Sequence, residues 1–225
     1  MCIINPWIAN WNTWNPNGIK VAQCDQNIIN SFVINKPRIL QLNAYPEPFI
    51  GNSSAPVYLL NGNPGAEPNP KNVTSAFINS LTNSVLNHTG GFFFFDKNKS
   101  TIEGYNWWKK YTNKLCQTLG HDPDLFNIEY FPYHSINLKG IPVLNTTFLP
   151  SYDYANFLIR KAIDDGKIIV IMRLDKCWRK RIPELNYYQN VFTLSNPRRV
   201  YLTQNNLSGT ITQKQAAWGK LISVL

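Results

Sequence analysis

Four short segments of this chain hold the side chains best suited to chemistry. They are Asn61-Gly62-Asn63-Pro64-Gly65, the run from Glu129 to Ser135, the basic stretch from Arg173 to Arg181, and Ser195-Asn196-Pro197-Arg198-Arg199. Together they offer side-chain amides, a carboxyl, an imidazole (His134), a hydroxyl and clustered guanidinium groups. An amide is a poor base but orients a water molecule well, a carboxylate accepts hydrogen bonds, and guanidinium groups bind phosphate. The basic groups among them fit an anionic partner. Known phosphate-binding signatures are absent: the glycines fit neither GxxxxGK[ST] nor GxGxxG. Cys2, Cys24, Cys116 and Cys177 form no CxxC pair and stand near no His at metal spacing, so no metal is expected. Taken alone, the Asn61–Gly65 stretch also reads as a tight turn, since Gly and Asn tolerate positive φ and Pro fixes the following step.

The elements that must position these segments alternate in type. "APVYLL" reads as a short apolar strand ahead of the Asn61–Gly65 turn, and "LFNIEYF" as a second strand ended by Pro132. "KIIVIM" is a continuous β-branched run of the kind buried on both faces of a parallel sheet, and "NVFTLS" is a fourth strand. Between them, "TSAFINSLTNSVL" puts Phe77, Ile78, Leu81 and Val85 on one helical face, and "IEGYNWWKKYTNKLCQTLG" closes on Gly120 as a C-cap. "SYDYANFLIRKAIDDG" has Ser151 as a candidate N-cap and Gly166 at its end. The final helix carries Thr212 and Gln215 at capping-box spacing. The expectation is a three-layer α/β/α fold around a central, four-stranded, mainly parallel sheet. Each chemistry-bearing segment then follows a strand, where ligand sites of such sheets form. Residues 1–54, rich in Asn, Pro and Trp and lacking a sustained period, read as an irregular extension packed on a single domain of residues 1–225.

Composition narrows the partners. The 225 residues are 44% hydrophobic and 13% aromatic, which supports a globular core, and Lys plus Arg exceed Asp plus Glu by 22 to 13, for a net charge of +9. Such a balance fits an anionic partner such as nucleic acid and equally fits an incidental basic surface. No run approaches the roughly 20 apolar residues of a membrane span, and the N-terminus lacks a signal-peptide pattern. With scattered cysteines, reduced thiols in a cytoplasmic, monomeric protein are the simpler expectation.

The strand ends, taken in order, resemble the uracil-DNA glycosylase superfamily. Asn61 to Gly65 looks like its first motif, a G-x-N-P-G or G-x-D-P-Y turn, in the form used by the single-strand-selective and mismatch-specific branches. "FNIEYFPY" is similar to the segment in which an Asn reads the base, with Glu129 in that place. "LSNPRRVYLTQNNL" resembles the second motif, Asn196-Pro197 matching its N-P form and Arg198 replacing a Ser. The resemblance covers residues 55–225.

It implies a monofunctional DNA glycosylase without cofactor, in which Asn63 orients the attacking water and backbone groups of Gly62, Pro64 and Gly65 approach the base. Ser195 and Asn196 stand where a His assists the departing base, and a neutral amide there helps less. His134, just after the second strand, is either near the site or structural. The motif loop bearing Arg198 and Arg199 corresponds to one that enters the minor groove and fills the gap left by a flipped nucleotide, which an enzyme acting on a base inside a duplex must create. Arg179, Lys180 and Arg181 form a second basic segment, either on the DNA backbone or on a solvated helix face. Among Phe92 to Phe95, a core run, one ring is available to stack on an extruded base.

Glu129 and Gly65 shift the expected base. A carboxylate only accepts, which suits the N4 amino group of cytosine better than the mixed edge of uracil. Gly65 stands where the uracil-specific branch has a Tyr that excludes substituents at C5. Together they point to a C5-modified or damaged pyrimidine of cytosine type, in repair or in defence against modified DNA. The competing readings are a non-catalytic DNA-binding protein and a hydrolase of free nucleosides or nucleotides. Were the register shifted by one residue, Glu129 would face away and become an ion-pair partner.

Overall fold

The computed structural model describes residues 4–15, 18–35, 39–66, 73–136, 141 and 149–225, so Cys2 lies outside the described residues. The fold is α/β, built on a five-stranded, mostly parallel sheet: β1 (Phe49–Gly51), β2 (Val57–Asn61), β3 (Leu125–Glu129), β4 (Ile168–Ile171) and β5 (Val191–Thr193). Their spatial order is β1-β3-β2-β4-β5, parallel except for the β1–β3 pair. β2, β3 and β4 are buried along their whole length, as their near-continuous apolar sequences require. Because the chain steps from β2 to β3 on one side and then back across to β4 on the other, strand order reverses at β2, where the crevice of an open α/β sheet forms.

Two expectations about the frame need correction. The sheet has five strands rather than four, because residues 49–51 pair antiparallel to the edge of β3 with Ile50 opposite Asn127. The first 54 residues are not merely an irregular wrap. They hold helix α1 (Gln26–Asn35), the 3-10 turns Trp11–Thr13 and Gln23–Asp25, and a buried anchor, Asp25. Asp25 Oδ2 accepts from Tyr133 Oη at 2.7 Å and Ser151 Oγ at 2.6 Å, and Oδ1 accepts from Ser151 N at 2.9 Å. One carboxyl therefore clamps the N-terminal segment to the segment after β3 and to the start of α4 (Tyr152–Asp164).

Ser151 stands at the N-cap of α4 as expected, but its hydroxyl goes to Asp25 and makes no side-chain cap. The other helices are α2 (Ser75–Thr82), continued by a π turn at Asn83–Asn87, α3 (Ile102–Leu119), α5 (Asp175–Arg181) and α6 (Ile211–Val224). α3 ends as expected at Gly120, at φ +77°. α6 begins one residue after Thr210, whose reciprocal capping box with Gln213 replaces the expected Thr212–Gln215 pair. Among the described residues no helix is long and apolar enough to cross a membrane.

Candidate active site

The β2 and β3 register brings three polar side chains to one place. Asn61 pairs with Glu129 across the parallel ladder, and Asn127 lies two residues before Glu129 on the same face of β3. Both amides donate to the same carboxyl oxygen, Glu129 Oε1: Asn127 Nδ2 at 2.9 Å and Asn61 Nδ2 at 3.2 Å. Three oxygens of the trio, Glu129 Oε2, Asn61 Oδ1 and Asn127 Oδ1, are buried with no hydrogen-bond partner. Glu129 is 6% exposed and makes no ion pair among the described residues. Burial, reinforced by the Glu47 carboxylate and opposed by Asn127, Arg173 and Asn61, pushes its carboxyl up to about 8. The register that would make Glu129 an ion-pair partner on the outer face is not the one adopted.

These groups line a cavity of about 260 Å³ at the carboxyl ends of the strands. One wall is aromatic: Phe94 from the core Phe run, with Trp107 and Trp108 from α3. Gly104 explains how α3 comes so close, since a Cβ there would sit 2.1 Å from Cε1 of Phe94. The usual cost of a helix-interior glycine is here the condition for the wall. Arg173, just past β4, adds a cation whose Nε is buried without a partner and whose guanidinium lies 5.7 Å from the Trp107 ring. The next residue, Leu174, holds φ at +58° as the chain turns into α5, a conformation that costs a branched residue free energy.

The Asn61–Gly65 turn forms the rim. Asn63 Nδ2 donates to Ser135 Oγ at 2.7 Å, so the amide is held with Oδ1 left to accept. Gly65 sits at φ +77°, where a side chain would be strained, and its carbonyl accepts from Ser135 N at 3.1 Å. His134 Nδ1 lies 3.1 Å from Gly65 O and therefore carries the proton of that bond, while Nε2 faces Glu47 Oε1 at 3.4 Å. Gly62 is buried and its carbonyl accepts from Phe131 N. Of the residues singled out from sequence, Asn63, Pro64, Gly65, Glu129 and His134 thus line one cavity.

The loop after β5 behaves differently. Ser195, Asn196, Arg198 and Arg199 are exposed, and none of them lines the cavity. Asn196 Oδ1 accepts from the backbone N–H groups of Arg198 and Arg199, both at 3.1 Å, while Ser195 Oγ bonds to Asn206. Asn196 Oδ1 and Ser195 Oγ thus shape their own loop, and neither residue stands at the cavity where the resemblance implied help to a leaving group.

The second basic segment also needs correction. Arg179 donates to Asp175 Oδ1, to Leu185 O and to Thr193 Oγ1, which ties α5 to β5. Arg181 points inward, its guanidinium carbon 4.0 to 4.3 Å from the ring centroids of Tyr130, Tyr152 and Trp178, and burial lowers its pKa to about 10. Only Lys180 of that trio is exposed. Neither remaining imidazole enters the cavity: His88 bonds Ser84 O and Tyr154 Oη, and His121 is exposed.

Asn127, Trp107 and Trp108 were not foreseen, and Asn61 and Arg173, though inside segments singled out from sequence, were given no role there. The legible signal was a polar residue inside an apolar strand, Asn127 in "LFNIE" and Asn61 closing "VYLLN", since a strand buried on both faces admits such a group only with a partner or a purpose. A larger groove of about 790 Å³ opens at the opposite, amino end of the strands, between residues 90–96 and 122–124, but none of the buried unpartnered atoms lines it. Among the described residues no three His, Cys, Asp or Glu side chains are grouped as metal ligands. No protein-family model, curated protein or solved structure matches this chain.

Proposed function

We propose that the protein is a monofunctional DNA N-glycosylase that hydrolyses the glycosidic bond of an extruded cytosine-type pyrimidine, with space for a C5 substituent. The observation that carries this reading is the cavity itself: a polar floor of Asn61, Asn127 and Glu129, an aromatic wall, and Asn63 fixed at the rim with a free acceptor. At about 260 Å³ it falls just below the roughly 300–1,000 Å³ of pockets for drug-sized ligands, the scale of a single heterocycle with a substituent. Phe94 and Trp107 supply flat apolar surface for a base, and nothing lies within 4 Å of where a Gly65 side chain would project. Right-handed crossovers would put α2 and α3 on one face of the sheet and α4 and α5 on the other, the three-layer arrangement the motif order implies.

In the reaction, Asn63 Oδ1 holds a water against the sugar C1′ while the C1′–N bond breaks through an oxocarbenium-like transition state. Among the described residues no lysine lines the cavity, which supports water rather than an amine as the nucleophile. Arg198, Arg199 and Lys180, all exposed, contact the DNA backbone, and the +9 charge supports the association. The protein acts as a cytoplasmic monomer with reduced thiols; Cys24, Cys116 and Cys177 are unpaired.

Base release from oligonucleotides carrying uracil, cytosine or C5-substituted cytosines, read as alkali-labile breaks, tests the reading. Breaks at a cytosine-type base that fall about 100-fold or more in Asn63→Ala are expected, the scale of losing one positioned hydrogen-bonding group at a reacting centre. DNA binding without breaks on any substrate would leave a non-catalytic binding protein.

A further inference from the structure

Three buried oxygens without donors in one cavity are an unusual grouping. Each unmade hydrogen bond to a buried polar atom costs roughly 1–3 kcal/mol, and native proteins leave few of them. Here the shortfall has a pattern. Both Asn amides spend an N–H on Glu129 Oε1 and turn their carbonyls away, while Oε2 is left bare. The site therefore waits for a ligand that brings N–H donors to the amide carbonyls.

The carboxyl adds the complementary half. Among the described residues no cation stands within ion-pair distance of it. The charged or titratable groups around it are Glu47 from the segment before β1, His134 paired to that Glu47, Arg173 after β4, whose guanidinium sits beside the Trp107 ring, and Glu103 on α3. A carboxyl in such surroundings keeps its proton at neutral pH, and burial does push Glu129 up to about 8. With Oε1 already holding two N–H groups, the proton resides on Oε2 and is donated outward.

We infer that Asn61, Asn127 and protonated Glu129 read an aminopyrimidine edge, a ring imine nitrogen beside an exocyclic amine. In that pairing the amide carbonyls accept from the amine and Glu129 Oε2–H donates to the imine nitrogen. This rests on the glycosylase reading for its catalytic consequence. As C1′–N1 breaks, its electron pair passes to the base, and the proton on Oε2 moves to N3, so the base departs neutral. Water adds to C1′ and releases one proton to solvent, which returns to the Glu129 carboxylate. Glu129 thus does the work that the exposed Ser195 and Asn196 cannot reach. It also reverses the expectation that this residue acts as an ionised acceptor: the donor and the acceptors of the edge are divided between the acid and the two amides.

The test separates recognition from turnover. Affinities of the free bases cytosine, 5-methylcytosine and uracil are measured by calorimetry at pH 6.5 and 9.5, on wild type, Glu129→Gln and Asn127→Leu, each first checked for folding by circular dichroism. Cytosine and 5-methylcytosine are expected to bind at least tenfold more tightly than uracil at pH 6.5, and the preference to shrink at pH 9.5. Glu129→Gln should bind with no such pH dependence, and Asn127→Leu should lose the preference while still titrating. Base release at saturating substrate should fall about 100-fold in Glu129→Gln, the usual contribution of a positioned acid, with its alkaline decline abolished. Equal or reversed preference for uracil, or a Glu129→Gln profile matching wild type, overturns the inference even if bases are released. Selective cytosine binding without release sustains the reader and removes the glycosylase. No binding of any base in folded protein overturns the inference, and base release measured alongside decides the glycosylase separately.

Discussion

Two of the buried carboxyls in this molecule, Asp25 and Glu129, have opposite surroundings. Asp25 is 0% exposed and receives three strong hydrogen bonds spread over both oxygens, from Tyr133 and twice from Ser151. Glu129 is 6% exposed and receives two, both on one oxygen, with the other oxygen and two neighbouring amide carbonyls unanswered. A satisfied buried carboxyl joins chain segments: Asp25 holds the N-terminal region against α4 and the post-β3 strand end. An unsatisfied one in a cavity stores capacity for a ligand. Burial alone does not separate the two cases; the count of partners on each oxygen does.

The comparison can be broken most directly at Asp25. Removing it in Asp25→Ala strands the Tyr133 hydroxyl and both Ser151 donors, and should cost about 3–5 kcal/mol by urea denaturation at neutral pH. A loss below about 1 kcal/mol would mean that the N-terminal segment is held by its apolar contacts alone.

Glu129 should respond in the other direction. Its folded pKa of about 8 lies above that of an unfolded Glu, so its contribution is fully present below pH about 4.5 and is lost as pH rises toward 8. Glu129→Gln cannot ionise, and by pH 9 should be more stable than wild type by roughly 5 kcal/mol, the gap closing at pH 4. Equal pH dependence in the two proteins would show that Glu129 finds counter-charge after all.

The smallest effect is expected at the loop after β5, where side chains are exposed and the backbone is held by Asn196 and Asn206. The double change Arg198→Ala, Arg199→Ala should leave stability within about 0.5 kcal/mol. It should also lower the slope of log affinity for DNA against log salt by up to about 2. An unchanged slope would remove the loop from the DNA interface, leaving Lys180 and the other exposed cations to be tested.

Much of the frame was legible because it depends on near neighbours. Strand-like runs of four or five residues marked β2 to β4 and "NVFTLS" marked β5, helical spacing marked α2 to α4, and Gly120 closed α3 as its freedom at positive φ allows. Local reading failed where a distant partner intervened. Ser151 carries the chemistry of an N-cap, but Asp25, 126 residues away, takes its hydroxyl. Arg181 stands in a basic run, yet the rings of Tyr130, Tyr152 and Trp178 draw it inside. β1, Phe49–Gly51, lies in a stretch without a sustained period and exists because β3 offers it an edge.

The amino-acid sequence by itself determined the alternation of strands and helices, the basic balance, and the placing of Asn63, Gly65, Glu129 and His134 at or just beyond strand ends, since these follow from composition and short-range pattern. Only the tertiary structure decided which strand ends meet. Parallel registry set Asn61 beside Glu129, 68 residues apart, and Gly104 let the Phe94 ring close on α3. The loop after β5 was left outside with its polar atoms turned on itself. Whether a buried oxygen has a partner depends on all the elements packed around it, and no window along the chain contains that sum.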